Sequence, residues 1–283
     1  MVPSHTLNVS PPFPSGGEPI ARALPPSIPA LVTGASSGLG AEFARRLAAR
    51  GHDVTIVARR VDRLEAVKAE ILASHPVTVD VVPADLATQT GRKAIASLLR
   101  QRSPWILVNN AGFATRGALA DLDAARERSE VEVNVLTVQQ LTAAVLPGLI
   151  AAGTGGIINL ASTSSFQPIP YMATYAATKA FVLSFTEAIA EEVRGSGVRV
   201  MALCPGPVRT EFDSIAGTQD HMRLAAPMIM DPDRCVSVAL KAFDRGSTVC
   251  VPGILNATMA QGPRVTPRFL MRRITGTVLG QRR

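Results

Sequence analysis

The sequence has few of the residues that crosslink small secreted domains or hold structural metals. Its 283 residues include only three cysteines, at positions 204, 235 and 250, and none belongs to a C-x-x-C pair. An odd number of widely spaced thiols argues against a disulfide framework or a zinc site and fits a reducing compartment. We therefore expect no metal site and a cytoplasmic location.

Aromatic and charged side chains are also scarce. Aromatic residues make up 4% of the chain and charged residues 18%, whereas 47% is hydrophobic. This composition excludes intrinsic disorder for the chain as a whole and indicates a large buried core. The formal net charge of +7 does not indicate a nucleic-acid partner, because six arginines and no acids lie within residues 264–283, and the rest is nearly neutral.

The two ends of the chain differ from its body and divide it into three parts. Residues 1–28 are rich in proline and lack the basic-then-apolar order of a signal peptide, which predicts a disordered leader. Residues 29–262 are predicted to form the folded domain, and residues 263–283 a basic tail. The tail could lie on an anionic membrane surface, but we favour a docked helix or a solvated end because the segment is short.

After residue 28, short apolar runs alternate with longer helical patterns. Strands are predicted at 30–33, 54–57, 77–82, 105–109, 157–160, 198–203 and 248–251. Strands that are apolar on both faces and alternate with helices form parallel sheets covered on both sides. The sequence therefore predicts an α/β fold, a Rossmann-like, doubly wound parallel sheet of about seven strands in one domain. Ligands of such sheets bind at the carboxyl ends of the strands.

A glycine-rich turn follows the first predicted strand and opens a helix. Its spacing is G-x-x-x-G-x-G, from Gly34 through Gly38 to Gly40. Such a turn lets a pyrophosphate approach a helix N-terminus, where unpaired N–H groups and the positive end of the helix dipole face the anion. Three glycines after a strand also occur in ordinary turns, so the pattern alone leaves the ligand open.

The end of the second strand distinguishes the two nicotinamide cofactors. NAD sites commonly place an acid there for the ribose 2′-hydroxyl, whereas NADP sites need positive charge for the 2′-phosphate. The chain has Arg59 and Arg60 at this point and no acid. A guanidinium binds phosphate through paired charge-assisted hydrogen bonds. The pattern favours NADP(H) over NAD(H), with a solvated arginine pair as the alternative.

Tyr175 and Lys179 stand four residues apart, on one face of a predicted helix. With an ordinary pKa of about 10, a tyrosine is a poor acid or base at neutral pH, and a nearby ammonium stabilises its phenolate. The chain has only two tyrosines and four lysines, so a chance pair at this spacing is improbable. The spacing indicates a general acid–base pair.

Two further polar residues are candidates for the same chemistry. Ser162 follows a predicted strand, where a hydroxyl could hold a carbonyl oxygen for protonation. The polar run 161–165 contains other hydroxyls, and spacing alone does not choose among them. Asn134 lies in an otherwise apolar helix and needs a buried hydrogen-bond partner, so a satisfied core amide is an equal alternative.

Together these residues resemble the short-chain dehydrogenase/reductase family in its compact one-domain form. The resemblance covers residues 29–252. In chain order its motifs are Thr33–Gly40, Asp85-Leu86, Asn109-Asn110-Ala111-Gly112, Asn134, Ser162, Tyr175 with Lys179, and Pro205-Gly206 through Thr210. More loosely, the segment 203–212 is similar to a group that includes ketoacyl and hydroxysteroid reductases.

The resemblance implies a role for each position. Tyr175 is expected to act as the acid in reduction and the base in oxidation, and Lys179 to favour its ionised form and bind the nicotinamide ribose. Ser162 would hold the substrate oxygen, and Asn134 would support a water-linked proton relay. The implied cofactor-binding residues are Gly34, Ser36, Ser37, Gly38, Leu39 and Gly40 at the pyrophosphate, Arg59 at the 2′-phosphate, Asp85 and Leu86 at the adenine, Asn110, Ala111 and Gly112 along the adenine-side ribose, Tyr175 and Lys179 at the nicotinamide ribose, and Pro205, Gly206, Val208 and Thr210 at the nicotinamide.

These residues predict an NADP(H)-dependent oxidoreductase that transfers a hydride between nicotinamide and a ketone or secondary alcohol. The segment 212–230, which usually covers the substrate in this family, is rich in methionine and favours an apolar ketoacyl-, steroid- or xenobiotic-like carbonyl. Family habit implies a homodimer or homotetramer. The alternative is a catalytically idle NADP-binding sensor or scaffold, which need not retain Ser162, Tyr175 and Lys179 together.

Overall fold

A computed structural model of the chain confirms the predicted α/β class. The structure describes residues 23–212, 216–217 and 228–279. Within them, seven parallel strands form one sheet in the order β3-β2-β1-β4-β5-β6-β7. The strands are β1 (Ala30–Thr33), β2 (Val54–Ala58), β3 (Val79–Pro83), β4 (Ile106–Asn109), β5 (Gly156–Leu160), β6 (Arg199–Leu203) and β7 (Val249–Cys250).

Helices connect the strands and cover the two faces of the sheet. In the described part of the chain they are α1 (Gly38–Ala49), α2 (Val61–Ser74), α3 (Gln89–Gln101), α4 (Ala124–Val131), α5 (Val138–Ala152), α6 (Ala173–Glu192), α7 (Pro232–Asp244), α8 (Ile254–Val265) and α9 (Arg268–Leu279). Short 3-10 turns lie at Leu119–Asp121 and Thr163–Phe166, and a π-helical segment, Glu132–Thr137, joins α4 to α5.

The core is split by the sheet into two layers, because consecutive strand residues point to opposite faces. In β1, Val32 packs with Phe43 of α1 in one layer. Its neighbour Leu31 packs in the other layer with Leu99 of α3 and Leu141 of α5. All four residues of β1 are buried, as the uninterrupted apolar run predicts for a central parallel strand.

The continuous helical stretch Ala124–Ala152 is long and apolar enough to cross a membrane, with a mean hydropathy of 1.6 in its most apolar window. In the structure, Leu141, Val145 and Leu149 from this stretch are buried in the core layer beneath the sheet. Packing against a sheet selects the same apolar composition, so the stretch is also accounted for as a helix that covers one face of the sheet.

The chain ends bear on the predicted three-part division. Residues 1–22 of the predicted leader and 280–283 of the predicted tail lie outside the described residues. Leu24 and Ile28, within the predicted leader, are buried in the core. The predicted boundary at 262/263 falls inside α8, and α9 makes the basic segment helical. The division itself stays a prediction.

The three cysteines are free thiols in the interior, at the end of β6, in α7 and in β7. Burial raises the pKa of Cys235 to about 12 and that of Cys250 to about 11, and it raises the pKa of Cys204 as well. All three therefore stay protonated at neutral pH and contribute to packing as small apolar side chains.

Candidate active site

A cleft opens where the strand order reverses, between β1 and β4, at the carboxyl ends of the strands. It holds a cavity of about 320 Å³. The predicted site residues among its walls are Gly34, Ser37, Gly38, Leu39, Asn110, Ala111, Gly112, Ser162, Tyr175, Lys179, Pro205, Gly206, Val208 and Thr210. Residues from five separate segments of the sequence thus meet in one cleft.

The glycine turn after β1 has the tight geometry that its sequence suggests. Gly34 has φ +66°, a left-handed conformation that disfavours side chains. A Cβ on Gly40 would lie 2.3 Å from the carbonyl oxygen of Gly34, so only glycine lets α1 pack this closely on the turn. The turn therefore places the N-terminus of α1 at the cleft.

The N-terminus of α1 fits an anion. No side chain caps it at Ser37, and its first turn carries no acid. The first backbone N–H groups of a helix lack partners within the helix, and the dipole adds partial positive charge there. Asn110, after β4, fixes this turn from the other side, since its Nδ2 donates to the carbonyl oxygens of Thr33 at 2.9 Å and Gly34 at 3.2 Å. These features fit a dinucleotide pyrophosphate.

The arginine nearest the glycine turn is Arg60, next to the predicted Arg59. Its Nη2 lies 3.1 Å from the hydroxyl oxygens of both Ser36 and Ser37. Arg60 also forms a salt bridge of 3.1 Å to Glu211, which lies after β6 on the facing side of the cleft. Arg59 is exposed at the end of β2. Both arginines therefore stand at the end of β2, and Arg60 contacts the glycine turn.

Asp85 and Leu86 lie just past β3, at the same edge of the sheet but outside the walls of the cavity. Asp85 is exposed, and its Oδ1 accepts from the N–H of Ala87 at 3.0 Å. Leu86 is buried, and its carbonyl oxygen accepts from Arg92 at 2.9 Å. These contacts shape the loop after β3 on the adenine side of the cleft.

Tyr175 and Lys179 lie on α6 as the spacing predicts, and both are buried. The Lys179 Nζ donates to the carbonyl oxygen of Leu160 at 2.8 Å and lies 5.8 Å from the centroid of the Tyr175 ring. Burial lowers the pKa of Lys179 to about 8, while negative charge on Glu130 opposes that shift. The ammonium is thus held against the phenol, at the end of β5.

Ser162 begins the 3-10 turn after β5. Its hydroxyl oxygen accepts from the N–H of Ser164 at 3.1 Å, which leaves the hydroxyl proton for another acceptor. Ser165 makes a different contact, donating its hydroxyl to the Lys179 carbonyl oxygen at 2.8 Å. Ser162 lines the cavity together with Thr163 and Ser164.

Asn134 is completely buried in the π-helical segment. Its Oδ1 accepts from the N–H of Phe113, and its Nδ2 donates to the Phe113 carbonyl oxygen at 2.9 Å and to the Thr178 hydroxyl at 3.1 Å. The side chain thus ties the loop after β4 to α6. These bonds also satisfy its amide, as the core-amide alternative expected.

Several residues of the cleft were not assigned a role from the sequence, although Phe212 opens the segment 212–230 that is expected to cover the substrate. Glu211 and Phe212 line the cavity, and the Phe212 ring contacts the Tyr175 ring at 5.6 Å between centroids. Met172, just before α6, lines it too. Asn256 of α8 backs Gly206, where a Cβ would lie 2.5 Å from the amide. Contacts between segments that are distant in sequence place these residues at the cleft, and the sequence alone does not show such contacts.

Comparison with known proteins gives a consistent result. The family model described as short chain dehydrogenase matches residues 29–220. A human very-long-chain 3-oxoacyl-CoA reductase is 33% identical over 191 residues, which are 66% of this chain and 61% of that protein. The chain thus spans somewhat less than two thirds of the length of such curated relatives.

Two solved structures resemble the whole described fold. A short-chain dehydrogenase from Sphingobium yanoikuyae in complex with NADPH is 37% identical, covers 80% of this chain and 88% of its own, and gives a TM-score of 0.76. A bulky-bulky ketone specific alcohol dehydrogenase from Comamonas testosteroni is 34% identical, with 81% and 88% covered and a TM-score of 0.73.

Proposed function

Because the chain belongs to the short-chain dehydrogenase/reductase family of NAD(P)-dependent oxidoreductases acting on CH–OH groups, we propose that it transfers a hydride between NADP(H) and a ketone or secondary alcohol. Membership of the family confirms the resemblance seen in the sequence. One observation carries the proposal. Tyr175, Lys179 and Ser162 line the same cavity as the glycine turn and the N-terminus of α1.

Bound NADPH would supply the hydride that reduces the carbonyl carbon. The protein's own residues supply the proton and hold the oxygen. Ser162 donates its hydroxyl to the carbonyl oxygen and orients it towards the Tyr175 phenol, which gives its proton to that oxygen. The Lys179 ammonium stabilises the resulting phenolate, and in the oxidation of an alcohol the phenolate takes the proton back.

The preference for NADPH rests on charge at the end of β2. Arg60 already donates to Ser36 and Ser37, where a 2′-phosphate would add a stronger acceptor. Arg59 adds positive charge beside it, and no acid ends β2. The similar Sphingobium protein, which was solved with NADPH, supports the same assignment.

We propose a bulky, apolar ketone as the substrate class. The described walls beside Tyr175 are apolar and include Met172, Pro207 and Phe212. A methionine-lined wall adapts its shape to large apolar groups. The similar Comamonas protein is described as a bulky-bulky ketone specific alcohol dehydrogenase, which supports this class. Residues 213–215 and 218–227 of the predicted cover lie outside the described residues.

The first experiment measures binding of NADPH and NADH to the purified protein, followed by NADPH oxidation against a panel of bulky ketones. We expect tight NADPH binding and turnover, and a loss of about 100-fold or more in kcat for Tyr175→Phe with unchanged NADPH binding. Tyr171→Phe, four residues earlier and partly exposed, is the matched control. Turnover that survives Tyr175→Phe would contradict the assigned acid.

The same experiment addresses the alternative of an idle sensor or scaffold. Such a protein would bind NADPH tightly and turn over none of the panel, and Tyr175→Phe would leave its cellular activity unchanged. Binding of neither nucleotide would overturn the assignment of the glycine turn itself. Homo-oligomer formation and a cytoplasmic location are part of the proposal, and sedimentation and cell fractionation test them.

A further inference from the structure

A buried carboxyl stands behind the candidate site and takes no part in the mechanism above. Glu130 of α4 has no exposed surface. Its Oε2 accepts from the Thr115 N–H at 2.8 Å and from the Thr115 hydroxyl at 2.7 Å. None of the described residues hydrogen-bonds Oε1, although this atom is also buried. Burying a carboxyl group with one oxygen that lacks a hydrogen-bond partner costs folding free energy. This cost indicates that Glu130 has a role other than packing.

The hydroxyl of Thr115 connects two acids. It contacts Oε1 of Glu127 as well as Oε2 of Glu130, and Oε2 of Glu127 contacts the hydroxyl of Thr174, the residue before Tyr175. One hydroxyl carries a single proton and cannot donate to two carboxylates. Both contacts are satisfied when one of the two acids is protonated and donates to the Thr115 oxygen. The two acids thus form an acid pair at one hydroxyl, and Glu130, whose pKa is raised by burial, is the member that carries the extra proton.

Glu127 contacts α6 directly at Thr174, whereas Glu130 acts on this helix through its charge, which affects Lys179. Burial, together with the charge of Glu127, raises the pKa of Glu130 to about 7, and the positive charge of Lys179 opposes this shift. Asn134, four residues after Glu130 in the same continuous helical stretch, donates to the hydroxyl of Thr178 at 3.1 Å, which brings this stretch against the part of α6 that carries Lys179. The negative charge of Glu130 in turn raises the pKa of Lys179. The charged groups acting on Glu130 are thus Glu127 from α4 and Lys179 from α6, while the loop after β4 contributes the uncharged Thr115.

We infer that Glu130 is a positioning residue that sets the working pH range of the site, because its ionised form keeps Lys179 protonated. This inference rests on the proposed function, in which the Lys179 ammonium stabilises the Tyr175 phenolate. Below neutral pH the acid pair holds an extra proton and leaves Lys179 as an isolated buried cation. Above it, Glu130 gives up that proton and its charge balances the ammonium.

The first test is the pH dependence of alcohol oxidation, which needs an ionised Tyr175 and a charged Lys179. Glu130→Gln removes a negative charge, so the phenolate forms more readily and the ammonium is lost more readily. We expect both limbs of the profile of kcat/KM to move to lower pH by about half a unit or more. The control Glu132→Gln removes the same charge two residues along, where Arg92 lies 3.9 Å away, and should leave both limbs in place.

A purely structural role gives a different result. Loss of packing would lower kcat/KM at every pH and leave both limbs where they are, and this outcome would overturn the inference. If Glu130→Gln fails to fold, Thr115→Val serves instead. It removes the hydroxyl bond that lowers the pKa of Glu130, so Glu130 stays neutral to higher pH. The limbs should then move in the same direction by a smaller amount, and unchanged limbs would also overturn the inference.

The second test needs neither substrate nor cofactor. The folded chain holds the Glu130 proton up to a pH of about 7, whereas the ordinary pKa is 4.5, so folding stability from this group falls as pH rises between these values. The melting temperature of Glu130→Gln relative to the wild type should rise by about 4 °C or more from pH 4.5 to pH 8. A pH-independent difference would overturn the inference, even in a protein that proves to have no turnover.

Discussion

At the scale of single residues, Gly112 shows how little space separates the groups of this site. A Cβ on Gly112 would lie 2.9 Å from the Asn134 Oδ1 and 3.4 Å from the Lys179 Nζ. Asn134 cannot move away without breaking its bonds to Phe113 and Thr178, and Lys179 cannot move without losing its bond to Leu160. The absence of a side chain is therefore part of the site.

We predict that Gly112→Ala destabilises the protein by about 1–3 kcal/mol and weakens NADPH binding, because the added methyl displaces a fixed amide or the ammonium. Urea unfolding and nucleotide titration measure the two effects. Gly262→Ala is the control, since a Cβ there would meet nothing within 4 Å. Equal stability of the two variants would show that the neighbours of Gly112 yield easily.

At the scale of elements, the salt bridge between Arg60 and Glu211 connects the two sides of the cleft. Arg60 precedes α2 on one side, and Glu211 follows β6 on the other. Hydrogen bonding and charge from Arg60 lower the pKa of Glu211, so the acid is ionised at neutral pH. In the proposed complex with NADP(H), its carboxylate would therefore compete with the 2′-phosphate for the same guanidinium.

This competition predicts opposite effects of two substitutions on cofactor choice. Arg60→Ala should lower NADPH affinity about tenfold and leave NADH affinity nearly unchanged. Glu211→Gln should raise NADPH affinity about threefold, because it frees Arg60. Arg59→Ala, measured in parallel, shows which of the two arginines contributes more to NADPH affinity. Equal effects of any of these changes on both nucleotides would contradict a 2′-phosphate contact.

The elements also show what the sequence could predict. Apolar runs identified β5 and β6 to within a residue, because burial on both faces leaves a local pattern. The π-helical turn at Asn134 was not predicted, since it accompanies bonds to Phe113 and Thr178, which are distant in sequence. The two adjacent arginines at the end of β2 were identified from the sequence. The contacts of Arg60 with Ser36 and Glu211 were not, because they join residues that are distant in sequence.

At the scale of the whole molecule, the last helix is attached to the body near the site. Thr275 of α9 is buried, and its hydroxyl donates to the Met271 carbonyl oxygen at 2.8 Å and lies 3.2 Å from the carbonyl oxygen of Pro168. The segment that contains Pro168 continues into Ile169 and Met172, which pack against Tyr175. The basic end of the chain therefore supports one wall of the active site.

We predict that Thr275→Val lowers the free energy of unfolding by about 1 kcal/mol, because it removes a buried hydroxyl that donates to Met271 at the contact of α9 with Pro168. Thr277→Val should have almost no effect, since the Thr277 hydroxyl is exposed and bonds only within its own helix. Chemical denaturation compares the two variants. Identical curves would indicate that α9 leaves the body in solution and would favour the membrane-surface alternative for the tail.

The three buried cysteine thiols can be used to follow local opening of the structure. Cys204 follows β6, Cys235 lies in α7 and Cys250 lies in β7, all on the β6–β7 side of the sheet, and none is accessible as a thiolate. An alkylating reagent can reach them only when that part of the sheet opens. The chain thus carries built-in reporters of local opening, and their rates of alkylation can follow breathing of the sheet without an introduced label.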